Sequence, residues 1–202
     1  MSINSFKLTM ICIYLNLKKY LTININYFIY ILYMSYMTEQ LLTSKLYLTP
    51  KDLNQPHIDN LALHKLKENV EGLCYKDGYI INDSVNILKR SIGEIVTKNN
   101  KRMIKYSITY KAKVISPSPG DEIESYVDNI NKMGIIAYIR LGKKENEKLE
   151  DSPLIIIIPK EYIDESQYNI NDIMNGQKLT IQVIGERTKY KTDKIQIVAR
   201  PL

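Results

Sequence analysis

The chain has 202 residues, enough for one large domain or two small ones, and its 45% hydrophobic and 25% charged residues exclude a disordered polymer. The formal net charge of +6 favours polyanionic partners, and half of that excess sits in residues 1–36, where Lys7, Lys18 and Lys19 meet no acid. Two cysteines, Cys12 and Cys74, exclude a disulfide framework and offer no paired metal-ligand spacing; the expectation is two reduced thiols in an intracellular protein.

Residues 20–37 form an uncharged, partly apolar run that is barely the length of a spanning helix and contains Thr22, Asn24 and Asn26. No small-residue cleavage pattern follows it. Residues 1–36 are therefore read as a leader outside the working protein, with a membrane anchor or an extra strand as the alternatives. Patterning starts after it. Residues 41–48 alternate loosely and end at Pro50, as a first strand would. Pro56 opens a helical pattern in which Ile58, Ala62, Leu66 and Val70 recur every four residues, and Gly72 closes it. Short strands are expected over 73–75, 79–82 and 85–88. Residues 92–97 and 103–115 then read as a hairpin across Lys98-Asn99-Asn100-Lys101, because Asn tolerates the positive φ of tight turns.

Ser116-Pro117-Ser118-Pro119-Gly120 breaks the pattern and marks the boundary between a domain over 37–115 and one over 116–202. Five strands are expected beyond it, over 121–131, 135–141, 154–158, 177–187 and 194–200. The third is a continuous apolar run, as a strand buried on both sides would be, and residues 159–164 suit one helical turn after it. The fold class is α+β, mostly β, ending in a five-stranded OB barrel.

Nothing points to catalysis. The chain lacks a phosphate loop, a nucleophile elbow, a His-Glu-x-x-His helix and paired cysteines, so no catalytic residue, metal or cofactor is expected. His57 and His64 read as structural or surface residues, and residues 143–151 as a charged loop insertion. The second barrel strand carries more. Alternation sends Ile135, Ala137 and Ile139 inward and Ile136, Tyr138 and Arg140 outward. OB domains bind single strands there by stacking bases on rings and pairing phosphates with cations. Tyr138, Arg140, Lys178, Lys189 and Lys191 are the RNA-binding candidates. A second basic cluster, Lys98, Lys101, Arg102, Lys105, Lys111 and Lys113, lies along the long hairpin.

Several stretches in order carry a resemblance: Glu71-Gly72-Leu73-Cys74 leading to Gly78-Tyr79-Ile80, then Tyr110-Lys111-Ala112-Lys113-Val114, then Pro119-Gly120-Asp121 and the barrel. Over residues 43–202 the chain resembles the stalk subunit of multi-subunit DNA-directed RNA polymerases. The resemblance implies an N-terminal truncated ribonucleoprotein-like domain whose tip, at Lys76, Gly78 and Tyr79, docks on the polymerase core subunits. It also implies a smaller helical partner along the domain junction, single-stranded RNA on the barrel and no active site. Such a chain works in the nucleus, or at a site of viral transcription if a large DNA virus encodes it. The pattern departs at Ile136, where the family usually carries an aromatic. A free-standing OB-type protein of an RNA-degrading or translation complex is the alternative.

Overall fold

The structure is a computed structural model describing residues 36–54, 57–142, 148–163 and 173–202. Residues 1–35 of the leader, Pro56 as helix opener, residues 143–147 of the insertion and residue 164 of the helical turn lie outside the described residues. In chain order the first half contains β1 (Met37–Leu48), α1 (Ile58–Val70), β2 (Cys74–Tyr75), β3 (Gly78–Ile80), β4 (Asn86–Arg90), β5 (Glu94–Lys98) and β6 (Lys101–Ile115). The second contains β7 (Glu122–Asn131), β8 (Gly134–Tyr138), β9 (Leu154–Pro159), β10 (Lys178–Arg187) and β11 (Ile195–Pro201). The chain is mostly β, with one α-helix among the described residues.

Strand β6 organises the first half. Its alternation buries Tyr106, Ile108, Tyr110, Ala112 and Val114 on one face and leaves Lys111 and Lys113 exposed on the other. β1 runs antiparallel along one edge, from Met37↔Ile115 to Leu48↔Ile104. The other edge takes β5, β4 and β3 in succession, and β3 carries β2. The β5–β6 turn holds Asn99 and Asn100 at φ 51° and 58°, the left-handed pair that a two-residue hairpin needs. Helix α1 places Ala62, Leu66 and Val70 on the buried face of the sheet, among Leu46, Leu48, Ile80 and Val85. One stripe of the helix meets one face of the sheet.

The barrel closes in the order β7–β8–β9–β11–β10, with β9 and β11 parallel and the other pairs antiparallel, an OB-like layout. Its interior is filled by Ile, Val, Leu and Ala from all five strands, including Ile123, Ile135, Ile156, Ile181 and Ile197. Gly134 opens β8 at φ 141°, where a Cβ would lie 2.0 Å from the Ile158 carbonyl oxygen. Only glycine lets β8 and β9 approach so closely. Strand β9 corrects one expectation: it is buried on one side only, with Ile157 40% exposed. Its continuous apolar run conceals an ordinary alternation, because the outward positions are isoleucines too.

The joint between the halves is a pair of backbone bridges and a shared core. The Cys74 N–H donates to the Thr192 carbonyl at 2.7 Å, and the Lys191 N–H donates to the Cys74 carbonyl at 2.8 Å. Tyr36, Cys74, Tyr79 and Ile115 belong to the same apolar cluster as the barrel interior. Burial raises the Cys74 thiol and the Tyr79 phenol above their ordinary pKa values, so both stay protonated at neutral pH. Tyr36, read from the sequence as part of the leader, is built into the joint: its carbonyl accepts from the Ser116 N–H at 2.8 Å and the residue is 5% exposed. Tyr36→Ala is expected to lower stability by about 3 kcal/mol in chemical denaturation, the scale for emptying a buried aromatic site.

Asp52 closes the turn between β1 and α1. Its carboxylate accepts from the Thr49 N–H at 2.7 Å, the Thr49 hydroxyl at 2.8 Å and the Lys65 ammonium at 2.7 Å. The Lys65 hydrogen bond, then the Thr49 N–H, hold its pKa below the usual aspartate value. The folded-state value is the lower one, so the stabilisation is complete above the ordinary aspartate range and is lost as pH falls through the depressed value. Acid titration of thermal stability should therefore show a component at low pH that Asp52→Asn removes.

Candidate nucleic-acid interface

Three strands bring the barrel-face candidates together. Register sets Tyr126 of β7 opposite Tyr138 of β8 on one side and opposite Lys178 of β10 on the other. Val127 and Ala137 beside them point into the barrel, so Tyr126, Tyr138 and Lys178 share its outer surface. The tyrosine rings lie 6.1 Å apart at 36°. The Arg140 guanidinium sits 3.9 Å from the Tyr126 ring centroid and 5.9 Å from that of Tyr138, and its Nη2 donates to the Tyr138 hydroxyl at 3.3 Å. A cation held over a ring in this way is worth about 0.5–2 kcal/mol, depending on desolvation.

The expected stacking residue is not available. Tyr138 faces off the barrel core but is only 6% exposed, packed against Tyr126 and hydrogen-bonded by Arg140. Its role is to support Arg140 from below. The half-buried Arg140 plane and Tyr126 carry what access remains. Tyr126 was missed because its partnership with Tyr138 comes from register, which no spacing along the chain encodes. Lys178 pairs with Glu124 at 2.8 Å, with both side chains about half exposed at 52% and 54%. The Glu124 hydrogen bond raises the Lys178 pKa, so the ammonium stays charged. Such an exposed pair contributes little to stability and exchanges readily for a phosphate.

Lys189 and Lys191 do not join this patch. They lie on the β10–β11 hairpin, beyond the far end of a ten-residue strand that begins at Lys178. At about 3.3 Å per residue the separation is roughly 30 Å. Their hairpin lies beside β2, where the Lys191 N–H bonds to the Cys74 carbonyl, and Tyr190 between them shares a cleft with Lys76. The expected docking trio also divides. Lys76 is exposed, whereas Tyr79 is 7% exposed within the shared core. Gly78, at φ 126°, lies where a Cβ would come 2.3 Å from the Ile115 carbonyl oxygen. Gly78 and Tyr79 build the joint: Tyr79 is buried in it, and Gly78 only edges the cleft that Lys76 and Tyr190 line.

The basic hairpin cluster is partly neutralised. Lys105 is bonded to Glu94 and Lys111 to Glu39, while the Lys98 ammonium lies 3.9 Å from the Tyr47 ring centroid. His64 is exposed beside Glu68, and among the described residues no group of three His, Cys, Asp or Glu side chains could hold a metal. Among the same residues no helix is long and apolar enough to cross a membrane. No protein-family model matches the chain.

Sequence reading also missed an apolar surface. Leu88, Ile92 and Ile95 are 60%, 91% and 81% exposed around the β4–β5 turn. A bulge between Ile87 and Lys89 in the pairing with β6 turns Leu88 outward. Beside it, Asp59 and Leu63 of α1 and Arg90 line an open cleft of about 620 Å³.

Tyr138→Ala is expected to lower stability by about 3 kcal/mol, since its ring is buried. Arg140→Ala should instead leave the fold intact and weaken binding of a short labelled RNA. Fluorescence anisotropy across a salt series should show the slope flatten by about 0.7 for each phosphate contact removed.

Proposed function

We propose that this chain is the non-catalytic stalk subunit of a DNA-directed RNA polymerase, docked on the core subunits and contacting exiting RNA with its barrel. The observation carrying the reading is where the resembling segments fall. Cys74, Gly78 and Tyr79, together with Ile115, all meet at the joint that ties the helix-and-sheet half to the OB-like barrel. Those residue types are required there by close backbone approach and burial, so the motif serves a fixed arrangement of two modules. A subunit that must present a docking surface and an RNA surface at once needs such an arrangement. A smaller helical partner and a place with the transcription machinery, in the nucleus or at a site of viral transcription, belong to the same proposal.

The docking surface in this reading is the exposed apolar group Leu88, Ile92 and Ile95, in place of Gly78 and Tyr79. Isolated exposed apolar residues are ordinary, but three within eight residues, beside a cleft, suit burial against another protein. Affinity purification of the tagged full chain should recover the large polymerase subunits. Changing Ile92 and Ile95 to Asp together should cut that recovery at least tenfold with the melting temperature unchanged. Recovery of RNA without the large subunits would favour a free-standing OB-type RNA-binding protein instead.

A further inference from the structure

We propose a second single-stranded RNA site at the joint, in which one base stacks on Tyr190 and the adjoining phosphates meet Lys76, Lys189 and Lys191. The site rests on the RNA-contact half of the proposed function and is independent of polymerase docking. Between the end of β10 and the β2–β3 turn lies an open cleft of about 320 Å³, lined by Tyr75, Lys76, Asp77, Glu186, Thr188 and Tyr190 among others. That volume admits a base and its sugar.

Tyr190 is 70% exposed, uncommon for a tyrosine in a fold that buries Tyr36, Tyr79, Tyr106, Tyr110 and Tyr138. It is nevertheless held in place. The Tyr75 ring meets it edge-on, with centroids 5.4 Å apart at 88°, and the Tyr75 hydroxyl is anchored on the Asn69 carbonyl at the end of α1. An edge-on neighbour supports the ring without covering both of its faces, so Tyr190 can still take a stacking partner. The hairpin beneath is fixed by the two backbone bridges to Cys74, and Lys191 is kept at φ 60°. The platform is therefore ordered before any ligand arrives, which removes part of the entropy cost of binding.

The charges fit a nucleotide better than a bare anion. The Lys191 ammonium lies 5.8 Å from the Tyr190 centroid, and no ion pair among the described residues involves Lys76, Lys189 or Lys191. Asp77 and Glu186 on the cleft wall only accept hydrogen bonds, a role suited to a base amino group or a ribose 2′-hydroxyl. A strand reaching from this cleft to Arg140 and Lys178 would cover the length of β10, within the ~4–16 nucleotides that one OB barrel engages.

The test is anisotropy of the full chain with a labelled 12-nucleotide RNA and a DNA of the same sequence. Tyr190→Ala should weaken RNA binding about tenfold at an unchanged melting temperature, while Tyr190→Phe stays within about twofold, because stacking needs the ring and not the hydroxyl. Changing Lys189 and Lys191 to Ala should flatten the salt slope by about 1.4, two phosphate contacts at ~0.7 each. Binding unchanged in Tyr190→Ala, equal loss in Tyr190→Phe, or competition by inorganic polyphosphate as strong as by RNA would each overturn the proposal. Loss confined to Arg140→Ala would overturn the joint site and leave the barrel face standing. Recovery of polymerase subunits is read separately, so failure of the docking reading is distinguishable from failure here.

Discussion

Both edges of β6 are in use, and the first half of the molecule depends on it. A buried strand whose N–H and C=O groups lack partners costs several kcal/mol for each pair left open. β6 meets that requirement with one long neighbour, β1, on one side and three short ones, β5, β4 and β3, on the other. Its even-numbered residues form the surface on which α1 packs, and its last residue, Ile115, enters the core shared with the barrel. A one-residue shift in its register would turn Tyr106, Ile108 and Tyr110 to solvent and misplace the joint at the same time.

The joint places the candidate surfaces by the same logic. Because Cys74 bridges to the β10–β11 hairpin, the cleft under Tyr190 belongs to both halves at once. The barrel-face patch is governed differently. There Arg140 is shared between two tyrosines, and the geometry holds a cation in place where Tyr138 alone was expected to stack a base. The outward isoleucines Ile136 and Ile157 leave the neighbouring part of that face aliphatic. The barrel thus has one cationic surface element near Lys178 and another at the far end of β10, separated by the length of the strand.

Much of this was legible in residue order. Alternation located β6, β10 and β11 to within a few residues, and Asn99-Asn100 located the hairpin. The fourfold spacing of Ile58, Ala62, Leu66 and Val70 located α1, and the proline-rich break after Ile115 located the change of module. These features are local: a two-residue or four-residue period follows from backbone geometry alone and needs no partner to be read.

Register and covering were decided only in three dimensions. Tyr138 obeyed its alternation and still became buried, because Tyr126 from β7 and Arg140, two residues beyond the end of β8, lie over it. Lys178 and Lys189 are eleven residues apart, at opposite ends of the extended strand β10, so their similar chemistry does not put them on one site. Gly78 and Tyr79 looked like a surface motif until Ile115 closed over them, and Tyr36 lay in a discounted segment until Ser116 bonded to it. Composition and period determined which residues face off the backbone and in what rhythm. Which of those faces met water depended on contacts between residues tens of positions apart, and no local period carries that information.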